Sequence, residues 1–159
     1  MTNKKFTHID ANGNPSMVDV GQKDITQRVA TAQSIVILPP EVLALLTSAE
    51  IHTKKGPVFQ TAVLAGIMAA KKTSDLIPLC HPLQLNKCDV TIEVVDTKVV
   101  VNCTVGCNGK TGVEMEALTG ASVASLTIYD MCKAFGHTIR IEETKLIQKS
   151  GGKNDFDNR

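Results

Sequence analysis

The stretch Cys88–Val105, CDVTIEVVDTKVVVNCTV, alternates apolar and polar residues with a period of two. Cys88, Val90, Ile92 and Val94 fall on one side, and Asp89, Thr91 and Glu93 on the other. After Asp96-Thr97-Lys98, the residues Val99, Val101, Cys103 and Val105 alternate with Asn102 and Thr104. Such a pattern makes two strands, each buried on one face, joined as a hairpin. An apolar sheet face has to be covered. The next stretch, GKTGVEMEALTGASVASLTIYDMCKAFG (Gly109–Gly136), reads as a long helix of small and apolar residues that Gly136 closes.

Working outward from that pair, RVATAQSIVIL (Arg28–Leu38) is β-branched and reads as a strand stopped by Pro39-Pro40. PPEVLALLTSAE (Pro39–Glu50) reads as a short helix with proline at its start. IHTKKGPVFQ is a basic loop, and VFQTAVLAGIMAAKKTS (Val58–Ser74) a second helix. DLIPLCHPL (Asp75–Leu83) is extended, because Pro78 and Pro82 bias their neighbours away from helix. HTIRIEETKLIQ (His137–Gln148) is a last strand. Thr7–Val20 is a turn-rich lead-in, with MVDV as a short strand. The order of strand, helices, hairpin, helix and strand predicts an α+β fold of ferredoxin-like character, a mostly antiparallel sheet with helices on one face. Residues 1–159 form a single catalytic domain on this reading, with a folded core over 7–149 and a mobile polar tail over 150–159.

Composition narrows the function classes. Of 159 residues 43% are hydrophobic, enough for a core, but only 3% are aromatic, so Val, Ile, Leu, Ala and Met must build it. A formal charge of +1 gives no bulk electrostatic argument for nucleic acid or membrane partners. The N-terminus shows no apolar signal region, and the expected location is the cytoplasm. The five cysteines, Cys80, Cys88, Cys103, Cys107 and Cys132, contain no CxxC, and at least four are expected as small buried hydrophobes rather than a disulfide framework.

Four features bear on chemistry. GKTG (Gly109–Gly112) resembles a phosphate loop, but the first glycine of a Walker motif is replaced by Thr104, which leaves either a generic anion-binding helix start beside Lys110 or an ordinary turn. At about 100° per residue, Glu116, Thr119, Asp130 and Lys133 share one side of the long helix and Glu114 lies on the other. Asp130 and Lys133, three apart, are either an exposed ion pair or an acid and base facing a pocket. Cys80-His81 could suggest zinc, although adjacent ligands are unusual for it; a histidine between two prolines equally suits a residue aimed at a ligand, or one bonded to backbone. Lys54, Lys55, Lys71, Lys72, Lys110 and Lys133 could neutralise a polyphosphate if the fold brings them together.

The segments DLIPLCHPL, KTGVEMEALTGASVASLTIYDMCKA and KSGGK, with THID, MVDV and KGPVF, closely resemble the cyclic pyranopterin monophosphate synthases, the MoaC family of molybdenum cofactor biosynthesis. The resemblance runs from about Thr7 to Lys153. It implies conversion of 3',8-cyclo-7,8-dihydro-GTP to cyclic pyranopterin monophosphate and pyrophosphate. It implies no redox cofactor and no structural metal, although magnesium could accompany the triphosphate. The assembly it implies is a homo-oligomer, a hexamer built as a trimer of dimers, with pockets at subunit interfaces. Matched to the family's motifs, Asp130, Lys133 and Lys55 are expected to be catalytic. Leu79, Cys80, His81, Met115, Glu116, Glu114 and Lys71 are expected to bind substrate. The loop departs from the family's usual His-His-Lys-Gly-Asp, reading His52-Thr53-Lys54-Lys55-Gly56-Pro57, with Lys55 still preceding the glycine. An interface pocket leads to the expectation that the Lys55 loop comes from one chain and the Asp130–Lys133 helix from another. The competing readings are a purine-nucleotide-binding module without chemistry, and a zinc cyclohydrolase using Cys80 and His81.

Overall fold

The computed structural model describes residues 8–158, so Thr7, the first residue of the expected lead-in, falls outside them. The expected hairpin forms from β5 (Lys87–Val95) and β6 (Lys98–Gly109), turning at Asp96, whose φ of 55° is left-handed. In register, Val90 faces Cys103 and Ile92 faces Val101, so the apolar residues of both strands lie on one face. β1 (Thr26–Ile37) pairs antiparallel with β6 on one side and with β7 (Arg140–Ser150) on the other. A two-residue strand, β8 (Phe156–Asp157), closes the order β5-β6-β1-β7-β8. Residues 150–159 were set apart as a mobile tail, yet their described part turns back after Ser150 and pairs with β7.

Two long helices cover the apolar face of this sheet. They are α2 (Val58–Ala70) and α4 (Glu114–Cys132), the latter continued by a 3-10 turn at Lys133–Phe135. Strand, helix, hairpin, helix, strand, with β1 and β6 central, is the split β-α-β arrangement of a ferredoxin-like fold. Buried Ala30, Ala32, Val36, Val99, Val101 and Val105 of the sheet meet Ala62, Ala70, Ala117, Ala121, Ala124 and Ile128 of the helices.

The small residues allow α2 and α4 to cross almost backbone to backbone at Gly66 and Gly120. A Cβ on Gly120 would lie 2.5 Å from Cys103 Sγ and 3.2 Å from the Gly66 carbonyl oxygen. Gly120→Ala should therefore lose about 2 kcal/mol to overpacking, despite the better helix propensity of alanine. Urea unfolding checks this against Ser122→Ala in the same helix, which is expected to be near neutral.

Three expectations need correction. The stretch read as one helix over Pro39–Glu50 is helical only at α1 (Pro40–Leu43). Ser48 and Ala49 then adopt left-handed φ values of 51° and 63°, making a tight turn between β2 (Leu46–Thr47) and β3 (Glu50–Thr53), which pairs onward with β4 (Gly56–Pro57). The second helix stops at Ala70, and Thr73–Leu76 is a separate helical turn, α3, that takes in Asp75 and Leu76 of the segment read as extended. MVDV forms no strand; Val18 and Val20 are half-buried but unpaired.

Glu50 explains how the β2–β3–β4 segment launches α2. Its buried carboxylate accepts hydrogen bonds from the backbone N–H groups of Ile51 (2.7 Å), Phe59 (2.9 Å) and Gln60 (3.0 Å). The last two are donors that a helix start leaves unsatisfied. Proline at position 57 has no side-chain oxygen to cap them, so a residue from a neighbouring strand does it.

Candidate active site

The expected site residues gather at the two ends of α4. At its C-terminal end, Asp130 holds two ammonium groups. Lys133 Nζ donates to Oδ1 at 2.7 Å, and Lys55 Nζ donates to Oδ2 at 3.0 Å and to the Asp130 carbonyl oxygen at 3.2 Å. Lys133 arrives by the (i, i+3) spacing of the helix. Lys55 arrives because α2 runs antiparallel to α4, so the β3–β4 turn before α2 sits beside the end of α4. All three side chains are about half exposed. Hydrogen bonds from Lys133 first and Lys55 second hold the Asp130 carboxyl below the usual aspartate range, and Asp130 in turn raises Lys133. The free protein therefore presents an ionised carboxylate between two cations.

This geometry corrects one expectation. Lys55 and Asp130 already meet within a single chain, where the expectation drew them from different subunits.

At the N-terminal end of α4 is a cavity of about 250 Å³. Leu79, Cys80 and His81 form one wall, and Glu114, Met115 and Glu116 another. The helix angle had put Glu114 on the opposite side from Glu116. Both reach the cavity because it lies across the end of the helix, where the Glu114 carboxylate folds back over Gly112, in the space a Cβ there would occupy. Glu114 also pairs with Lys149 at 2.9 Å, which brings the KSGGK segment to the cavity rim. Arg28, Lys149 and Lys153 line a smaller basic recess beside it. Lys71, just past α2, is exposed and does not line the cavity.

Glu116 is 4% exposed, so the single stripe read along the helix holds in angle but not in exposure: Glu116 is buried and Asp130 is not. Burial, with a smaller contribution from Glu114, pushes the Glu116 carboxyl up to about 6. Burial and Glu116 likewise raise the Cys80 thiol. A carboxyl with a raised folded pKa binds its proton more tightly when native, so stability falls as pH rises from about 4.5 through about 6 and then levels. Glu116→Gln should remove that slope and stabilise the protein at pH 7 by up to about 2 kcal/mol. Urea midpoints of both proteins at pH 4.5 and pH 7.5 measure the difference.

The sequence reading missed the third wall. The irregular N-terminal segment contributes His8, Val18, Val20 and Lys23. It is held down by His81 Nε2, 2.8 Å from the Val18 carbonyl oxygen, and by Lys110, which donates to the Gly21 carbonyl oxygen. The apolar alternation of Val18 and Val20 was the available signal; it points into the cavity instead of a sheet. Of the five cysteines, Cys103, Cys107 and Cys132 are buried while Cys80 and Cys88 are half-buried, one fewer buried than expected. Among the described residues, no group of three or more His, Cys, Asp or Glu is placed to hold a metal ion, and no helix is long and apolar enough to cross a membrane.

The MoaC family model matches residues 17–152. The chain is 52% identical over 156 residues to the cyclic pyranopterin monophosphate synthase of Xanthomonas campestris pv. campestris, an alignment covering 98% of this chain and 94% of that protein. It is 54% identical over 155 residues to the molybdenum cofactor biosynthesis bifunctional protein of Synechocystis, covering 94% of this chain and 45% of that protein. It is 50% identical over 171 residues to molybdenum cofactor biosynthesis protein 1 of Dictyostelium discoideum, covering 96% of this chain and 27% of that protein.

Proposed function

Because this chain belongs to the MoaC family, we propose that it is a cyclic pyranopterin monophosphate synthase, a lyase of molybdenum cofactor biosynthesis. Its substrate is 3',8-cyclo-7,8-dihydro-GTP and its products are cyclic pyranopterin monophosphate and pyrophosphate. The observation that carries this reading is the pairing of one carboxylate with two lysines, Asp130 with Lys55 and Lys133, on the helix that also lines the Cys80–His81 cavity. Ring opening and reclosure need protons moved to and from the same small region. An ionised carboxylate beside protonated amines supplies acceptor and donors together. The lysines also stabilise charge on phosphoryl oxygens as pyrophosphate leaves. The reaction as proposed draws on no redox cofactor and no structural metal; magnesium accompanies the triphosphate as part of the substrate.

One chain holds this machinery in two halves. Glu116 and Asp130 sit on a single helix, so at ~1.5 Å per residue about 21 Å separates them. The cavity at the first end, about 250 Å³, is small for a ligand of nucleotide size, since ligand pockets usually span roughly 300–1,000 Å³. A second copy resolves both facts. The outer surface of the helical layer carries Leu64, Met68 and Leu126, each more than half exposed. A two-fold axis through that surface and perpendicular to α4 sets the two α4 helices antiparallel, and the Asp130 end of one then lies by the cavity of the other. The proposed active unit is therefore a dimer with swapped half-sites, which a hexamer of three such dimers would contain, working in the cytoplasm.

The test is direct. Purified protein is incubated with the cyclised nucleotide, and the products are followed by mass and by pyrophosphate release. Formation of both products supports the proposal. Stoichiometric nucleotide binding with no product formation would instead support the binding-module reading.

A further inference from the structure

We propose that Thr53 is a positioning residue of this site, one that holds the Lys55 ammonium on Asp130 from within a turn whose base Glu50 closes. The role of Lys55 rests on the reaction proposed above, whereas the way it is mounted rests on the geometry of the turn. Thr53 and Pro57 are two of the positions at which this loop departs from the family's usual sequence.

The strand ladder alone is a weak mount for a lysine. Lys55 sits at the tip of the β3–β4 hairpin, where Thr53 pairs with Gly56 and His52 with Pro57. That ladder is two pairs long, and Pro57 brings no N–H to it. Gly56 holds a φ of 113°, open to glycine but entropically costly to fix. Lys54 and Lys55 add two adjacent, exposed like charges. A lysine stem is flexible as well. Yet Lys55 Nζ meets two atoms of Asp130, Oδ2 at 3.0 Å and the carbonyl oxygen at 3.2 Å.

Two side chains make up for the short ladder. Thr53 Oγ1 accepts a hydrogen bond from the Lys55 backbone N–H at 3.1 Å and donates one to the Gly56 carbonyl oxygen at 3.3 Å. A single hydroxyl thus fixes peptide groups on both sides of Lys55. Below it, the buried Glu50 carboxylate takes the Ile51 N–H from one side of the loop and the Phe59 and Gln60 N–H groups from the other. Both ends of the loop therefore converge on one side chain. Neither Thr53 nor Glu50 lines the cavity at the far end of α4, so what they do for the reaction passes through Lys55.

Displacing a reacting group by about 1 Å can cost about 100-fold in rate, so a loosened turn shows in turnover before it shows in stability. Thr53→Val isolates the effect. Valine keeps the branched shape that suits a strand and removes only the hydroxyl. Thr53→Ser keeps the hydroxyl and removes the methyl group.

The experiment compares Thr53→Val, Thr53→Ser, Lys55→Ala and the Thr53→Val, Lys55→Ala double variant in the full-length protein. Single-turnover rates are measured with the cyclised nucleotide. The Asp130 carboxyl is titrated by carbon-13 NMR, with Asp130→Asn giving the assignment. Thr53→Val is expected to lower the rate about tenfold, and Thr53→Ser to return it to within about twofold of the wild type. On the Lys55→Ala background, Thr53→Val is expected to cost nothing more, because the two changes remove one interaction. The Asp130 titration is expected to move up in Thr53→Val, since one of the two ammonium groups that lower it is no longer held there. Glu50→Gln leaves at least one of the three N–H groups without an acceptor and should move the titration the same way. The proposal is wrong if Thr53→Val turns over like the wild type, if Asp130 titrates in it as in the wild type, if Thr53→Ser loses as much, or if the loss recurs in full on the Lys55→Ala background. A wild type that forms no product counts against the reaction instead, and the titrations then decide the mount by themselves.

Discussion

Replacing Asp130 by Asn is expected to lower turnover at least about 100-fold, the usual scale for a general acid–base group, with the fold retained. The change keeps the size of the side chain and removes only its charge. Because Asp130 is about half exposed, its ion pairs with Lys55 and Lys133 contribute little to stability. The functional loss has two parts. The amide cannot take a proton, and it no longer holds the two ammonium groups together, so Lys55 and Lys133 lose the partner that fixes their positions. The measurement is single-turnover product formation beside a thermal melt. An unchanged melt with turnover reduced at least 100-fold supports the assignment; turnover near the wild-type value would remove Asp130 from the reaction.

The parts of the fold legible in the sequence are those set by local periodicity. The hairpin at Lys87–Gly109 and the helix at Glu114–Cys132 repeat every 2 and ~3.6 residues, so their burial shows in the order of residues alone. Pro39–Glu50 failed because its turn rests on left-handed φ at Ser48 and Ala49, residue types that do not announce that conformation as glycine or asparagine would. Glu50 was illegible for another reason: it caps a helix from a strand eight residues earlier, and nothing local marks it as a cap. The site divides the same way. Asp130 and Lys133 are readable from their (i, i+3) spacing, and Cys80-His81 from its flanking prolines. The arrival of Lys55 at Asp130, and of His8, Val18 and Lys23 at the cavity, depends on how distant segments pack. For the same reason nothing local in the sequence marks Lys55 as meeting Asp130 of its own chain.

Mixing experiments should now give a pattern that follows the two half-sites. Lys55 and Lys133 both hold Asp130 of their own chain. In a dimer of Lys55→Ala with Lys133→Ala, every active site therefore receives a damaged lysine, and refolding the two together should restore nothing. His81 lines the cavity beside Glu116, and Glu116 lies about 21 Å along α4 from Asp130. If half-sites are swapped across a two-fold axis, a mixed dimer of Asp130→Asn with His81→Ala has one site carrying both defects and one carrying neither. Random refolding makes about half the dimers mixed, so roughly a quarter of all sites should be intact. Activity should rise from the near-zero level of each parent to about that fraction, at least about tenfold above either alone. Tagging each variant differently and purifying through both tags isolates the mixed dimer, where half the sites should work. An inactive doubly tagged dimer would mean that His81 and Asp130 do not serve one site across the interface. Activity restored by the two lysine variants would mean that the Lys55–Asp130 pair of the single chain is exchanged on assembly.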